Sequence, residues 1–159
     1  MKPRREKRDE FYVCGIFTTT TNKAETSPET SKIGPLWGRF FGDDILAKIP
    51  EKISGPVAVY TEYEGDQTAP YKLVVGARVD TTLLAELPAE MVLAHVPEQD
   101  YLVFEARGEM PNAIVQTWQA VWSYFDSNEN SSRNYSSDFE EYLGDGSGAD
   151  IFIGLTDRA

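Results

Sequence analysis

The feature that most constrains this chain is a repeat. A series of strand, helix, strand and strand patterns is followed, after a connecting stretch, by a second series in the same order, and short local matches tie the two together. Tyr63, Gly65 and Asp66 of YEGD precede LVVG (Leu73 to Gly76) in the first half, as Tyr142, Gly144 and Asp145 of YLGD precede IFIG (Ile151 to Gly154) in the second. The helices match more loosely, Trp37 with Phe40 and Phe41 resembling Trp122 with Phe125. Two repeats are too few for a solenoid, so the chain reads as one pseudo-two-fold domain.

Periodicity fills in each half. Residues 11–22 are aromatic and β-branched, a strand signal, and a polar connection follows. Ile33, Leu36, Trp37, Phe40 and Phe41 fall on one helical face, with Gly34 and Pro35 tolerable only in its first turn. The stretches from Val57 and from Tyr71 form a hairpin, and alternation in the first puts Val57, Val59, Thr61 and Tyr63 on one face and Ala58, Tyr60 and Glu62 on the other. In the second half a strand over 100–108 precedes a stripe of Ile114, Trp118, Val121, Trp122 and Phe125, a polar loop over 127–132 and two closing strands. Repeat one spans about 11–80, the connecting stretch 81–99 and repeat two about 100–156, within one domain over 11–159. The expected fold is α+β: duplicated strand-helix-strand-strand units joined edge to edge in one curved antiparallel sheet, two helices on one face and a ligand groove on the other.

Charge narrows the partners. The formal net charge is −11, yet residues 1–10 hold five basic side chains against three acidic ones, so the remainder is more acidic still. Nucleic-acid binding needs clustered Lys and Arg, which the body of the chain lacks, so direct nucleic-acid contact is not expected. The basic start reads as a flexible arm. No apolar run is long enough to span a bilayer, the single Cys14 excludes an internal disulfide, and the default location is cytoplasmic. The lone His95 lies in the connecting stretch with no second His or Cys beside it; no metal and no cofactor is expected.

The stretch over 136–145, SSDFEEYLGD, carries the most chemistry. Strand alternation places Glu140 and Tyr142 on one face and Phe139, Glu141 and Leu143 on the other. A carboxylate beside a phenol on a half-exposed strand can be ordinary solvated surface. Its position beside the seam between the two halves is the argument for a site.

Together, VYTEYEGD with YKLVVGARVD, the tryptophan-bearing helices and DFEEYLGDGSGADIFIGL resemble the gyrase-inhibitor-like (GyrI-like) effector-binding domains, which also occur in AraC-type and MerR-type regulators. The likeness runs from about Phe11 to Thr156, and with no helix-turn-helix in the chain it is to the stand-alone members. It implies a pocket glutamate directly after the phenylalanine, here Glu140, and a lipophilic, cationic small molecule held between aromatic rings. Tyr142, Tyr63, Trp122, Trp37 and Phe152 are then candidate ring walls, with Trp118 a further one and core packing the competing role for the tryptophans. Glu141 follows Glu140 at once, so a one-residue shift in register would exchange their roles. Glu105 shares a face with Tyr101 and Val103 and is a candidate second acid; Tyr60 and Glu62 read as structural.

A binding module of this kind needs little geometry. A carboxylate about 4 Å from a cation supplies roughly 4 kcal/mol at an effective dielectric near 20, and each ring face adds about 0.5–2 kcal/mol. The resemblance leaves two alternatives open: hydrolysis of strained electrophilic molecules by the same Glu140 and Tyr142, and inhibition of a protein partner such as gyrase. No nucleophile elbow surrounds any serine, which favours binding over catalysis. Homodimerisation through a sheet edge is also open.

Overall fold

The structure is a computed structural model that describes residues 3–65, 68–127 and 133–156. Asp66 of the first repeat match and the polar loop at 128–132 lie outside the described residues. In chain order the elements are β1 (Arg4–Arg8), β2 (Phe11–Thr20), α1 (Asn22–Glu25), α2 (Ile33–Gly42), α3 (Ile45–Lys48), β3 (Lys52–Thr61), β4 (Tyr71–Val79), β5 (Val92–Val96), β6 (Gln99–Arg107), α4 (Asn112–Ser127), β7 (Ser137–Tyr142) and β8 (Gly148–Gly154). The units β2-α2-β3-β4 and β6-α4-β7-β8 have the duplicated order. All pairings are antiparallel, and the strands lie in the order β1-β6-β8-β7-β3-β4-β2-β5. The two units meet where β3 pairs with β7, Val59 opposite Phe139.

Two strands stand outside the repeat, and one corrects the flexible arm. Residues 4–8 form β1 on the edge of β6, Arg4 opposite Val103. Ion pairs explain why so polar a segment is ordered: Arg4 to Glu105 at 2.9 Å, Arg5 to Asp100 at 2.9 Å and Lys7 to Glu98 at 3.0 Å. A charged edge strand also discourages pairing with other chains. The second added strand, β5, lies within the connecting stretch and pairs with β2. His95 on β5 stacks on Tyr12 and approaches Glu10 at 2.8 Å.

The sheet curls strongly. Only Asp9 and Glu10 separate β1 from β2, although β1 lies at one edge and β2 next to the other. Phe11 of β2 touches Phe139 of β7 edge-on, with β3 and β4 lying between those strands in the order. Curvature also brings backbones together: Gly15 and Gly76 face each other across β2 and β4, and a Cβ on Gly76 would stand 1.9 Å from the Cys14 carbonyl oxygen. Only glycine fits such an approach.

The curl overturns the expected position of the groove. The face away from the helices is filled by a core of Phe11, Val13, Val57, Val59, Tyr101, Val103, Phe139 and Phe152. Phe139 and Phe152 stack 4.3 Å apart, and the Arg8 guanidinium covers Phe152 at 4.9 Å. On the other face α2 and α3 pack over β2, β3 and β4 through Leu36, Phe40 and Ile45, and α4 packs over β6 and β8 through Val121. The two helical layers are separate, and an opening remains between them. Among the described residues no helix is long and apolar enough to cross a membrane.

Candidate functional site

That opening is a cavity of about 1120 Å³. Its floor is the seam between the repeats: β3 contributes Tyr60, and β7 contributes Glu140 and Tyr142. The helices supply its walls at one-turn spacing, Trp37 and Phe41 from α2, Trp118 and Trp122 from α4. Trp37 meets the Tyr142 ring edge-on at 5.2 Å, and Trp118 meets Tyr60 at 5.1 Å. Each unit therefore sends one tryptophan onto a tyrosine of the floor. Gly144, Gly146 and Gly148 line the cavity beyond β7, and Met110 and Pro111 line it before α4.

Glu140 is the charge on the floor of this cavity, with 2% of its surface exposed, while Glu25 and Arg133 also line the cavity. It accepts hydrogen bonds from Tyr142 Oη at 2.6 Å on Oε1, and from Trp118 Nε1 at 2.6 Å and Tyr60 Oη at 2.8 Å on Oε2. Burial raises its pKa above the ordinary value, and the three donors act against that rise by stabilising the ionised form. Burial, followed by the negative charge of Glu140, pushes the Tyr60 and Tyr142 hydroxyls well above the usual tyrosine range, which keeps both protonated as donors. Among the described residues no Lys, Arg or His forms an ion pair with Glu140.

A second buried carboxylate lies two residues away on the same strand face. Asp138 is fully buried; its Oδ1 accepts from the Gly154 backbone N–H at 2.8 Å, and its Oδ2 accepts from the Tyr63 hydroxyl and from Arg133 Nη2 at 2.7 Å. Arg133, itself 5% exposed at its side chain, packs over the Tyr135 ring at 4.4 Å. This pair closes the end of the cavity that Tyr63 lines.

The structure brings together Glu140, Tyr142, Tyr63, Trp37, Trp118 and Trp122, and it removes three of the expected residues. Phe152 is 1% exposed and stacked within the opposite core. Glu141 points to that side too and meets Arg8 at 3.1 Å. Glu105 does share its face with Tyr101 and Val103, but that is the face away from the cavity, where it pairs with Arg4 and, at 3.6 Å, Arg107.

Alternation puts Tyr60 opposite Tyr63 and so predicts a structural role for it, but Tyr60 lies on the cavity floor. Alternation holds only along an unbroken strand, whereas β3 ends at Thr61 and Glu62 adopts a left-handed conformation with φ 51°. The turn brings Tyr63 back to the face of Tyr60. Ala58 and Tyr60 share parity on a strand whose other face carries Val57 and Val59, and that is the available signal. Arg133, at the edge of a Ser- and Asn-rich segment, carried no such signal.

Comparison with known proteins places this architecture among effector-binding domains. Residues 5–155 match the Cass2 family model, described as integron-associated effector binding protein, and the chain belongs to this GyrI-like family. An integron cassette protein from the mobile metagenome of Vibrio cholerae is similar at 30% identity and a TM-score of 0.79, over 98% of this chain and 96% of that one. SAV2435, solved bound to tetraphenylphosphonium, aligns with a TM-score of 0.77 at 18% identity, over 98% of this chain and 94% of that one. The EcmrR C-terminal domain aligns with a TM-score of 0.60 at 10% identity, over 99% of this chain and 98% of that one, a likeness of fold. No curated protein sequence matches the chain.

Proposed function

We propose that this protein binds lipophilic, cationic small molecules in the cavity between α2 and α4, with Glu140 as the fixed counter-charge. One observation carries the reading: a carboxylate 2% exposed, inside an aromatic cavity, whose hydrogen-bond partners are all neutral. A buried charge is ordinarily matched by an opposite charge, as Asp138 is by Arg133. Glu140 is kept available by donors that satisfy its oxygens without cancelling its charge. A cation entering the cavity supplies the missing partner, and ring faces on both helices replace part of its lost hydration. The tetraphenylphosphonium bound to SAV2435, a protein of the same fold, is a cation of this class.

The test is isothermal titration with tetraphenylphosphonium and with neutral triphenylphosphine oxide, on the unmodified protein, Glu140→Gln and Glu141→Gln. Saturable binding of the cation, at least tenfold weaker in Glu140→Gln and unchanged in Glu141→Gln, is the expected result. Equal affinity for the neutral compound, or indifference to Glu140→Gln, overturns the proposal.

A further inference from the structure

We infer that the cavity holds a second cation-binding position at Glu25, so that it suits dications whose two charges sit on one lipophilic body. The inference rests on the cation-binding reading above and specifies its ligand class. Among the described residues three charged side chains line the cavity, Glu25, Arg133 and Glu140. Arg133 is balanced by Asp138 at 2.7 Å, so what remains is the negative charge of two glutamates. Glu25, at the end of α1, is part-exposed, and its partners are neutral, as those of Glu140 are. Its Oε1 accepts from the Ile33 backbone N–H at 3.1 Å, and its Oε2 accepts from the Thr20 hydroxyl at 2.6 Å and from the Lys32 backbone N–H at 2.8 Å. The Lys32 ammonium donates instead to the Thr19 carbonyl oxygen. Glu25 thereby caps the start of α2, and the helix end offsets only about half of its charge.

A buried hydroxyl between the two acids points to what they hold. Tyr71 is 4% exposed and lines the cavity, and among the described residues nothing hydrogen-bonds its Oη. It stands opposite Thr20, which holds Glu25, and its ring lies 5.7 Å from that of Tyr60, which holds Glu140. Burial first, and then the charges of Glu25 and Glu140, raise its pKa, so both carboxylates act on this one oxygen. A buried phenol without a partner is costly, and one in the field of two anions is completed by a ligand that brings positive charge to it. Asn22, Thr26 and Gln119 also line the cavity and, being neutral, offset neither acid. The strands that hold the two acids, β2 through Thr20 and β7, are three strand spacings apart, about 14 Å, which sets the carboxylates roughly 10–15 Å from each other. A compact monocation meets only one of them. A second positive charge on the same molecule reaches the other, and a part-exposed ion pair of that kind is worth roughly threefold in affinity.

Two triphenylphosphonium ions of the same shape provide the test. One carries a hexyl chain ending in trimethylammonium, the other the same chain ending in tert-butyl, so that a neutral carbon replaces the second charged atom. Isothermal titration is run with both on the unmodified protein, Glu25→Gln and Tyr71→Phe. The unmodified protein is expected to bind the dication at least threefold more tightly, although the neutral chain end is the more hydrophobic. Glu25→Gln is expected to abolish that preference while changing affinity for the neutral-ended ion less than twofold. Tyr71→Phe, which removes the oxygen beside the second charge, is expected to narrow the preference, and it carries the test if Glu25→Gln fails to fold. The inference is overturned by an unmodified protein that does not prefer the dication, or by a preference that Glu25→Gln leaves intact. A loss shared equally by both ions leaves the ratio intact and counts against it in the same way, since it reports only a displaced α2. Binding of the neutral-ended ion without preference for the dication overturns this inference alone, whereas failure of both ions to bind the unmodified protein overturns the cation-binding reading with it.

Discussion

Asp138 and Glu140 occupy the same face of the same strand, both are buried, and each accepts hydrogen bonds from tyrosine. They differ in the charge of their partners. Asp138 meets Arg133 at 2.7 Å, whereas Glu140 meets phenols and an indole. Under the proposed function, burial alone does not separate a structural carboxylate from a ligand-binding one; the charge of what surrounds it does. A charge already balanced holds the fold, and a charge solvated only by neutral dipoles is available to something that arrives.

The comparison can be broken most severely at Arg133. Arg133→Met leaves Asp138 buried without its cation and should destabilise the protein by about 3–5 kcal/mol in urea unfolding. Glu140→Gln should change stability at neutral pH by less than about 1 kcal/mol, because the amide keeps neutral partners and loses a desolvated charge. A large loss in the second variant and none in the first would reverse the two roles.

Acidity sharpens it next. Burial raises the pKa of Glu140 in the folded protein, so its contribution to stability is fully present below the ordinary glutamate range and is lost as pH rises through the raised value. Under the proposed function cation affinity should run the other way, falling as acid protonates Glu140, and in Glu140→Gln both dependences should flatten. Urea melts and titrations across the acid range check the two slopes. Trp118→Phe removes one donor that favours the ionised form, and should move the affinity profile to higher pH.

The smallest effect belongs to the neighbouring glutamate. Glu141→Gln removes a part-exposed pair with Arg8 and should cost about 0–1 kcal/mol in melts, with unchanged cation affinity.

Much of this was legible in the sequence, and several of the failures share a cause. The duplicated order and the helical stripes followed from local periodicity, and the alternation that puts Glu140 with Tyr142 and Glu141 with Phe139 follows from the period of a strand. What periodicity does not contain is curvature. The face opposite the helices was expected to be open, and it is closed because the edges roll toward each other over Phe139 and Phe152. Phe152 and Glu105 were misassigned for that one reason. Tyr60 was missed through a local break, the left-handed Glu62, which nothing in its residue type announced. The order of β1 was hidden because its partners, Glu98, Asp100 and Glu105, lie about a hundred positions away and pair with it one charge at a time.

The two strands outside the repeat have a consequence for how such a molecule can be assembled. β1 precedes the first unit but is paired into the second, and β5 precedes the second but is paired into the first. Each half thus lends its leading strand to the other, which is the arrangement of a strand-exchanged dimer made covalent. Severing the chain between β4 and β5 should give two fragments that are unstable apart and that recover the sheet when co-expressed; a first fragment that folds stably alone would contradict this. On the same logic an ancestral single unit would have found a home for its leading strand only in a second copy of itself.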